Sequence, residues 1–240
     1  MAQAGLHGLV SLPLRKWTAK REWLMLGVVI GSMLPDADNL AVAVATVTNS
    51  ATQGLHRTFS HSLFTIVVII SFFYLIGLTT RRPRWNNLGI GLGLGVLLHI
   101  LLDVLVWFDG VAILWPIPFW LNLWDGITPP AWWMTLMLPV ELLFFALFFY
   151  TLYSLAKKQG SDQNFLGKLR LWALLEALLF VVFLVLAYTL SAGFLTIFGA
   201  VYLLSLGLAI EIAIRMRSTI EGYSRWSNAY EYPISDIQSY

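Results

Sequence analysis

Four stretches of this 240-residue chain are clearly apolar over close to the ~20 residues that a helix needs to cross a hydrocarbon layer, a fifth is interrupted by Glu176, and a sixth is shorter. They are Trp23–Leu34, Ser62–Thr79, Leu88–Phe108, Trp132–Ala156, Leu169–Leu190 and Leu195–Ile214. The first is short and runs into Pro35; it spans if it begins near Ala19 and otherwise stops part-way. In a bilayer, backbone N–H and C=O groups must be satisfied within the chain, which restricts such runs to helices. Composition agrees, with 58% hydrophobic and 12% charged residues, against about 25% charged in a soluble domain. A water-soluble single domain and a disordered chain are both excluded. The expected fold is all-α and polytopic: about six transmembrane helices, preceded by a re-entrant or interfacial helix within Met1–Leu14.

Basic residues fall between alternate runs. Arg15, Lys16, Lys20 and Arg21 precede the first, and Arg81, Arg82 and Arg84 follow the second. Lys157, Lys158, Lys168 and Arg170 bound a later loop, and Arg215, Arg217 and Arg225 follow the last run. The connections Phe108–Ala131 and Ser191–Phe194 carry no Lys or Arg. The positive-inside rule therefore predicts cytoplasmic basic loops, a cytoplasmic C-terminus and outward-facing basic-free connections. Trp107, Trp115, Trp120, Trp124, Trp132 and Trp133 gather at the long outer connection, as an interfacial belt does. The basic residues lie in short clusters between apolar runs, a pattern that points to membrane lipids and away from nucleic acid. The organisation reads as a site-bearing domain over residues 1–130, a three-helix extension over 131–217 and a polar, loosely ordered cytoplasmic tail over 218–240.

The chemistry sits in the first half. All four histidines, His7, His56, His61 and His99, precede residue 100, and the chain has no cysteine. Any transition metal must therefore be held by nitrogen and oxygen. His99 and Asp103 are four apart on a membrane helix, so both side chains face one side and can reach one ion. Gly91 and Gly95 continue that stripe and would let a neighbouring helix approach closely. The plainer reading is a His–Asp hydrogen bond that ties two helices together. Ionisable groups inside a membrane are costly, which favours function. Asp36 and Asp38 follow Pro35, where the helix is expected to break; the plain alternative is that one of them caps the next helix. In His56-Arg57-Thr58-Phe59-Ser60-His61-Ser62, Ser60 is placed to cap the following helix. Arg57 is the lone basic residue on the expected outer side, so it needs an anionic partner, either a site carboxylate or a substrate phosphate. His7 joins the group only if the first segment folds back. Glu141 lies inside its apolar run within reach of joining, and Glu211 has Arg215 at i+4 as its natural partner.

Taken in order, Pro35-Asp36-x-Asp38, His56-Arg57-x-x-Ser60-His61-Ser62, His99-x-x-x-Asp103 and Leu114-Trp115-Pro116 resemble the YdjM-like family of membrane-bound, metal-dependent hydrolases. The resemblance covers about residues 5–118. It implies a bacterial or archaeal inner-membrane protein and a more distant kinship to the all-helical zinc-dependent phospholipase C and nuclease fold. It implies functional positions at His7, Asp36, Asp38, His56, Arg57, His61, His99 and Asp103. The sequence departs from the family pattern at Asn39, Thr58 and Val106, where the family often has His, Gly and Thr.

These readings converge on a divalent-metal site toward the outer membrane boundary. His7, Asp36, Asp38, His56, His61, His99 and Asp103 are the candidate ligands. Zinc suits imidazole with carboxylate, as do manganese and iron, and the donor number allows two ions. Asp36 or Asp38 serves as ligand or general base, and Arg57 holds phosphoryl oxygens. The expected activity is hydrolysis of a phospholipid or other phosphoester by metal-activated water. Two other classes compete: a divalent-cation binding or transport protein, which needs ligands along a continuous path, and a non-catalytic scaffold.

Overall fold

The computed structural model describes residues 3–190 and 194–222. It is a helical bundle: α1 (Ala4–Ser11), α2 (Leu24–Met33), α3 (Asn39–Val47), α4 (Leu63–Thr80), α5 (Pro83–Val106), α6 (Ala131–Gln159), α7 (Leu166–Thr189), α8 (Leu195–Arg215) and α9 (Arg217–Glu221). Six segments are long and apolar enough to cross a membrane: Leu24–Val47, Leu63–Thr80, Pro83–Val106, Ala131–Gln159, Gln163–Thr189 and Leu195–Arg215. The first is continuous from α2 to α3 only through a 3-10 turn over Leu34–Asp38, with Pro35 in its first turn. The expected break at Pro35 is thus a tightening of the helix rather than an end, and the segment gains its length from α3.

Glycine decides how α2 and α5 meet. A Cβ on Gly27 would lie 2.7 Å from Leu88 O, and one on Gly95 would lie 2.6 Å from Ser32 N. Gly31 and Gly91 are equally tight against Leu92 and Leu24. The two helices therefore touch backbone to backbone, as small residues at i, i+4 permit in membranes. This is the close approach that Gly91 and Gly95 predict.

α1 is too short to span, at about 12 Å for eight residues. It is tucked inside the bundle, with Ala4, Gly5, His7 and Gly8 buried. Gly5 rests on the α6 backbone at Phe144 and Phe145, and Gly8 on Met33 and Phe148. The N-terminal helix is thus packed inside the bundle. One apolar core joins both halves of the chain, running from Ala4, Leu12 and Met33 through Phe145, Phe148 and Phe149 of α6 to Leu206 and Ile212 of α8. The boundary at residue 130 is not a gap in this packing. Residues 218–221 belong to α9, with Thr219 and Ile220 fully buried, so the expected loose tail begins later. Residues 223–240 and the 191–193 part of an expected outer connection lie outside the described residues.

Candidate metal centre

His99 and Asp103 lie 16 and 20 residues after Pro83, or about 24 and 30 Å along α5. They sit at the opposite end of that helix from the Arg81–Arg84 turn. His99 is fixed by the glycine seam: its Nδ1 is 2.7 Å from Ser32 O on α2. A carbonyl can only accept, so Nδ1 carries the proton and Nε2 is left with a lone pair. His61 is held by its own turn, Phe59–His61. Its Nδ1 lies 2.9 Å from Ser60 Oγ, and that hydroxyl donates to Asp38 Oδ2 at 2.6 Å. Ser60 having spent its proton on Asp38, His61 Nδ1–H is the donor of the pair, and its Nε2 is also a lone pair. The two Nε2 atoms face each other across 3.0 Å.

Two carboxylates close around them. Asp36 Oδ1 is 3.9 Å from His61 Nε2 and 3.8 Å from His99 Nε2, and it has no hydrogen-bond partner among the described residues. Asp103 Oδ2 is 3.5 and 3.8 Å from the same two nitrogens. All four residues are essentially inaccessible to solvent. Two facing lone pairs and two carboxylate oxygens buried together repel one another unless positive charge offsets them, and of these four atoms Arg57 Nε meets only the Asp103 oxygen, at 3.3 Å. The donor set, two imidazoles and two carboxylates, fits zinc, manganese or iron.

His7 does fold back. Its ring stacks on His99 with centroids 3.8 Å apart, and its Nε2 is 3.1 Å from Asp103 Oδ1. Three groups thus have ligand atoms close enough for one ion: His7 with His99 and Asp103; Asp36 with His61 and His99; Asp38 with His56 and His61. The third group differs from the others. Its donors are used among themselves: His56 Nδ1 is 2.7 Å from Asp38 Oδ1, and Asp38 Oδ2 takes Ser60 and the Arg57 N–H. Burial holds the His56 imidazole below its ordinary pKa, against the pull of Asp38.

Arg57 finds its anions within the protein. Its Nε is 3.3 Å from Asp103 Oδ2, and its Nη1 is 3.6 Å from Asp109 Oδ2. Asp103 is a site carboxylate, one of the two kinds of anionic partner that the sequence allows. Its guanidinium also lies 5.4 Å from the Trp107 ring centroid. Trp107 is 2% exposed, so it belongs to the centre and not to the interfacial belt; Trp120 and Trp132 remain exposed. Arg57 adopts φ +61, a left-handed backbone that few non-glycine residues take. The Ala112 N–H donates to its carbonyl, and the Ile113 carbonyl accepts from Leu63 N–H. The connection after α5, with its Leu114-Trp115-Pro116 motif, is thereby stitched over the centre.

Several partners were not legible from sequence. Ser62, not Ser60, caps α4, its Oγ accepting from Thr65 N–H; Ser60 serves Asp38 and His61. Asp38 precedes α3 but makes no capping bond with its side chain. Asn39 turns its amide nitrogen to Asp38 Oδ1 and Asp36 O and donates to both. The Gln3 N–H donates to Asp36 Oδ2 at 3.1 Å, and Glu141 Oε1 accepts from Gly5 N–H at 2.7 Å. Glu141 therefore anchors the helix that carries His7. Glu211 pairs with Arg215 as the i+4 spacing predicts.

A family model described as YdjM inner membrane protein matches residues 4–196. The chain belongs to the YdjM inner membrane protein family. The match runs past the four motifs through α7 to the start of α8, so the family takes in most of the extension as well as the half that carries the candidate site. Family membership and six spanning segments together make this a multi-pass inner-membrane protein. No curated protein and no solved structure matches the chain.

Proposed function

We propose that this YdjM-family protein is a metal-dependent hydrolase of a bacterial or archaeal inner membrane, acting on a phosphoester of lipid type at the outer face. The observation that carries the reading is the pair of imidazole Nε2 atoms 3.0 Å apart, each with its Nδ1 committed elsewhere, between Asp36 and Asp103. The outer placement and a cytoplasmic C-terminus follow from the basic loops. A divalent cation held by His61, His99, Asp36 and Asp103, with His7 beside them, supplies Lewis-acid activation of water and substrate.

The chain's own residues supply the rest. Asp38 orients His56 through Nδ1, and His56 Nε2 has no hydrogen-bond partner among the described residues. That nitrogen accepts the proton of the attacking water as the new P–O bond forms and the ester P–O bond breaks, and it then gives that proton to the leaving alkoxide, which departs as the alcohol. A depressed His56 pKa keeps the acceptor neutral near pH 7. The buried Arg57 charge offsets the phosphoryl charge that builds up beside Asp103. Asp36 is then a ligand, Asp38 orients His56, and His56 takes the general-base role that the sequence analysis assigns to Asp36 or Asp38.

The test is elemental analysis of detergent-purified protein together with hydrolysis of phosphomonoester, phosphodiester and phospholipid substrates after loading with zinc or manganese. Wild type is expected to hold about one metal or more per chain and to cleave at least one class, while His61→Ala and Asp103→Asn lose both. Protein that keeps its metal but cleaves nothing refutes catalysis. Variants that melt earlier with unchanged metal content point to the scaffold, and metal uptake into proteoliposomes points to transport.

A further inference from the structure

α4 and α5 stop at the level of the Asp–His cluster, whereas their neighbours continue. α4 begins two residues after His61, and α5 ends three residues after Asp103. α3 runs nine residues past Asp38, about 14 Å. α6 starts six residues before Met137, about 9 Å, and Gln3 bonds both Met137 O and Asp36, so these lie at similar depth. The space over the ends of α4 and α5 is taken by the connection after α5. It is held there by the bonds from Leu63 N–H to Ile113 O and from Ala112 N–H to Arg57 O.

That connection is built inside out for a loop in water. Val111–Trp124 carries no charged residue. Leu114, Ile117, Phe119, Trp120 and Leu123 are all exposed, Ile117 at 61%. The polar groups turn inward instead. Among the described residues, every N–H from Val111 to Leu121 except those of Leu114 and Trp120 donates within the chain, and Pro116 and Pro118 have none. Asn122 donates to Phe108 O, and the Trp124 indole N–H to Leu105 O. Apolar side chains outside and satisfied backbone donors inside are what a lipid environment demands of a segment, and what water does not. The rim also reaches the site. Trp115 meets Phe59 edge-on at 5.2 Å, and Phe59 lies between Arg57 and His61. The accessible edge of the site is His56 and Asp38, 17% and 12% exposed.

We propose that Val111–Leu123 is a lipid-docking surface, seated at the headgroup–acyl boundary of the leaflet over the site, so that the His56–Asp38 edge opens onto lipid headgroups rather than bulk water. Tryptophan and proline-rich irregular backbone suit that boundary, where the hydrocarbon interior would not accept them. What the edge does to a headgroup rests on the hydrolase reading; the seating does not.

The chain has no cysteine, so single cysteines can be spin-labelled in the full protein. Ile117→Cys, Leu123→Cys and Phe59→Cys report on the rim and the edge. Leu178→Cys, on the exposed face of α7, and Gln53→Cys, in the polar connection after α3, are the lipid and water references. Each protein is placed in nanodiscs of phosphatidylethanolamine and phosphatidylglycerol. Oxygen partitions into lipid and a hydrated nickel chelate stays in water, so the ratio of the two accessibilities at the three test positions is expected to exceed that at Gln53→Cys by about fivefold or more. It should stay below the ratio at Leu178→Cys. Ratios at Ile117→Cys and Leu123→Cys equal to the water reference overturn the proposal. So does a lipid reading on the rim with a water reading at Phe59→Cys, because the edge then opens onto water. Low accessibility to both reagents means that protein, a second copy included, covers the rim, and this overturns it too. Lipid-seated labels on metal-loaded protein that cleaves no phosphoester refute the hydrolase reading and leave the seating standing. Cleavage of a water-soluble phosphoester by protein whose labels read as water refutes the seating alone.

Discussion

Replacing Gly95 by alanine tests whether the fold and the metal centre depend on the same seam. The new Cβ would lie 2.6 Å from Ser32 N and 2.7 Å from Gly31 C, where ordinary contact begins at 3.4 Å. The nearest obstacle is the Val28 carbonyl oxygen, and all three are backbone, so no side chain can swing aside; α2 and α5 must separate by about 1 Å, which overpacking data put at about 1–3 kcal/mol. The same movement lengthens the 2.7 Å bond from His99 Nδ1 to Ser32 O to about 3.7 Å, past useful hydrogen-bond range and worth about 1 kcal/mol more. A total near 3 kcal/mol corresponds to about 6–12 °C in melting midpoint for a chain of this size. His99, freed from its carbonyl, also loses the orientation that aims Nε2 at His61, and metal affinity should fall about tenfold. The assay is thermal melting in detergent with parallel metal titration. Gly199→Ala is the control, because its Cβ enters open space and helix propensity gains about 1 kcal/mol. A Gly95→Ala protein that melts within 1–2 °C of wild type, by the same scaling, refutes the seam argument.

Two neighbouring serines should behave differently. Ser60→Ala removes a hydroxyl shared by Asp38 and His61 and should weaken metal binding about tenfold; Ser62→Ala removes the α4 cap and should cost about 1 kcal/mol with metal content unchanged. Comparing metal titrations of the two purified variants checks this. Away from the centre, burial raises the Glu221 carboxyl from 4.5 to about 7, although Arg217 lies 3.7 Å away. The folded state therefore favours the protonated form, and stability present below about pH 4.5 is lost as pH rises through about 7. Melting midpoints should fall across that window and flatten in Glu221→Gln; equal slopes in the two proteins would contradict the assignment.

Sequence made the local geometry legible and left the long-range geometry hidden. The i, i+4 spacing of His99 and Asp103 and the glycines before them directly state a shared face and a close neighbour, and both are present. A serine before an apolar run also states a cap, but the sequence offers two, and only the backbone at Ser62, extended with ψ 154, is shaped for it. Trp107 reads as one more interfacial aromatic until the connection after α5 folds it beneath Arg57. Glu141 could not be assigned, because its partner Gly5 lies 136 residues away and is brought near only by the packing of α6 on α1. His7 depended on the same packing. Arg57 was expected to need an anion, and its partner Asp109 lies on a connection whose path no periodicity describes.

The pairing of Gly5 with Glu141, and of the Gln3 side chain with Met137 O, has a bearing on biogenesis. During synthesis one imidazole of the centre leaves the ribosome more than a hundred residues before the helix that clamps it. Until α6 has been inserted, α1 can rest only on α2 and α5, and the earlier helices form an incomplete vessel. The His7 corner of the Asp–His cluster is therefore completed late in the life of each molecule, by membrane insertion of α6 rather than by the supply of donor side chains.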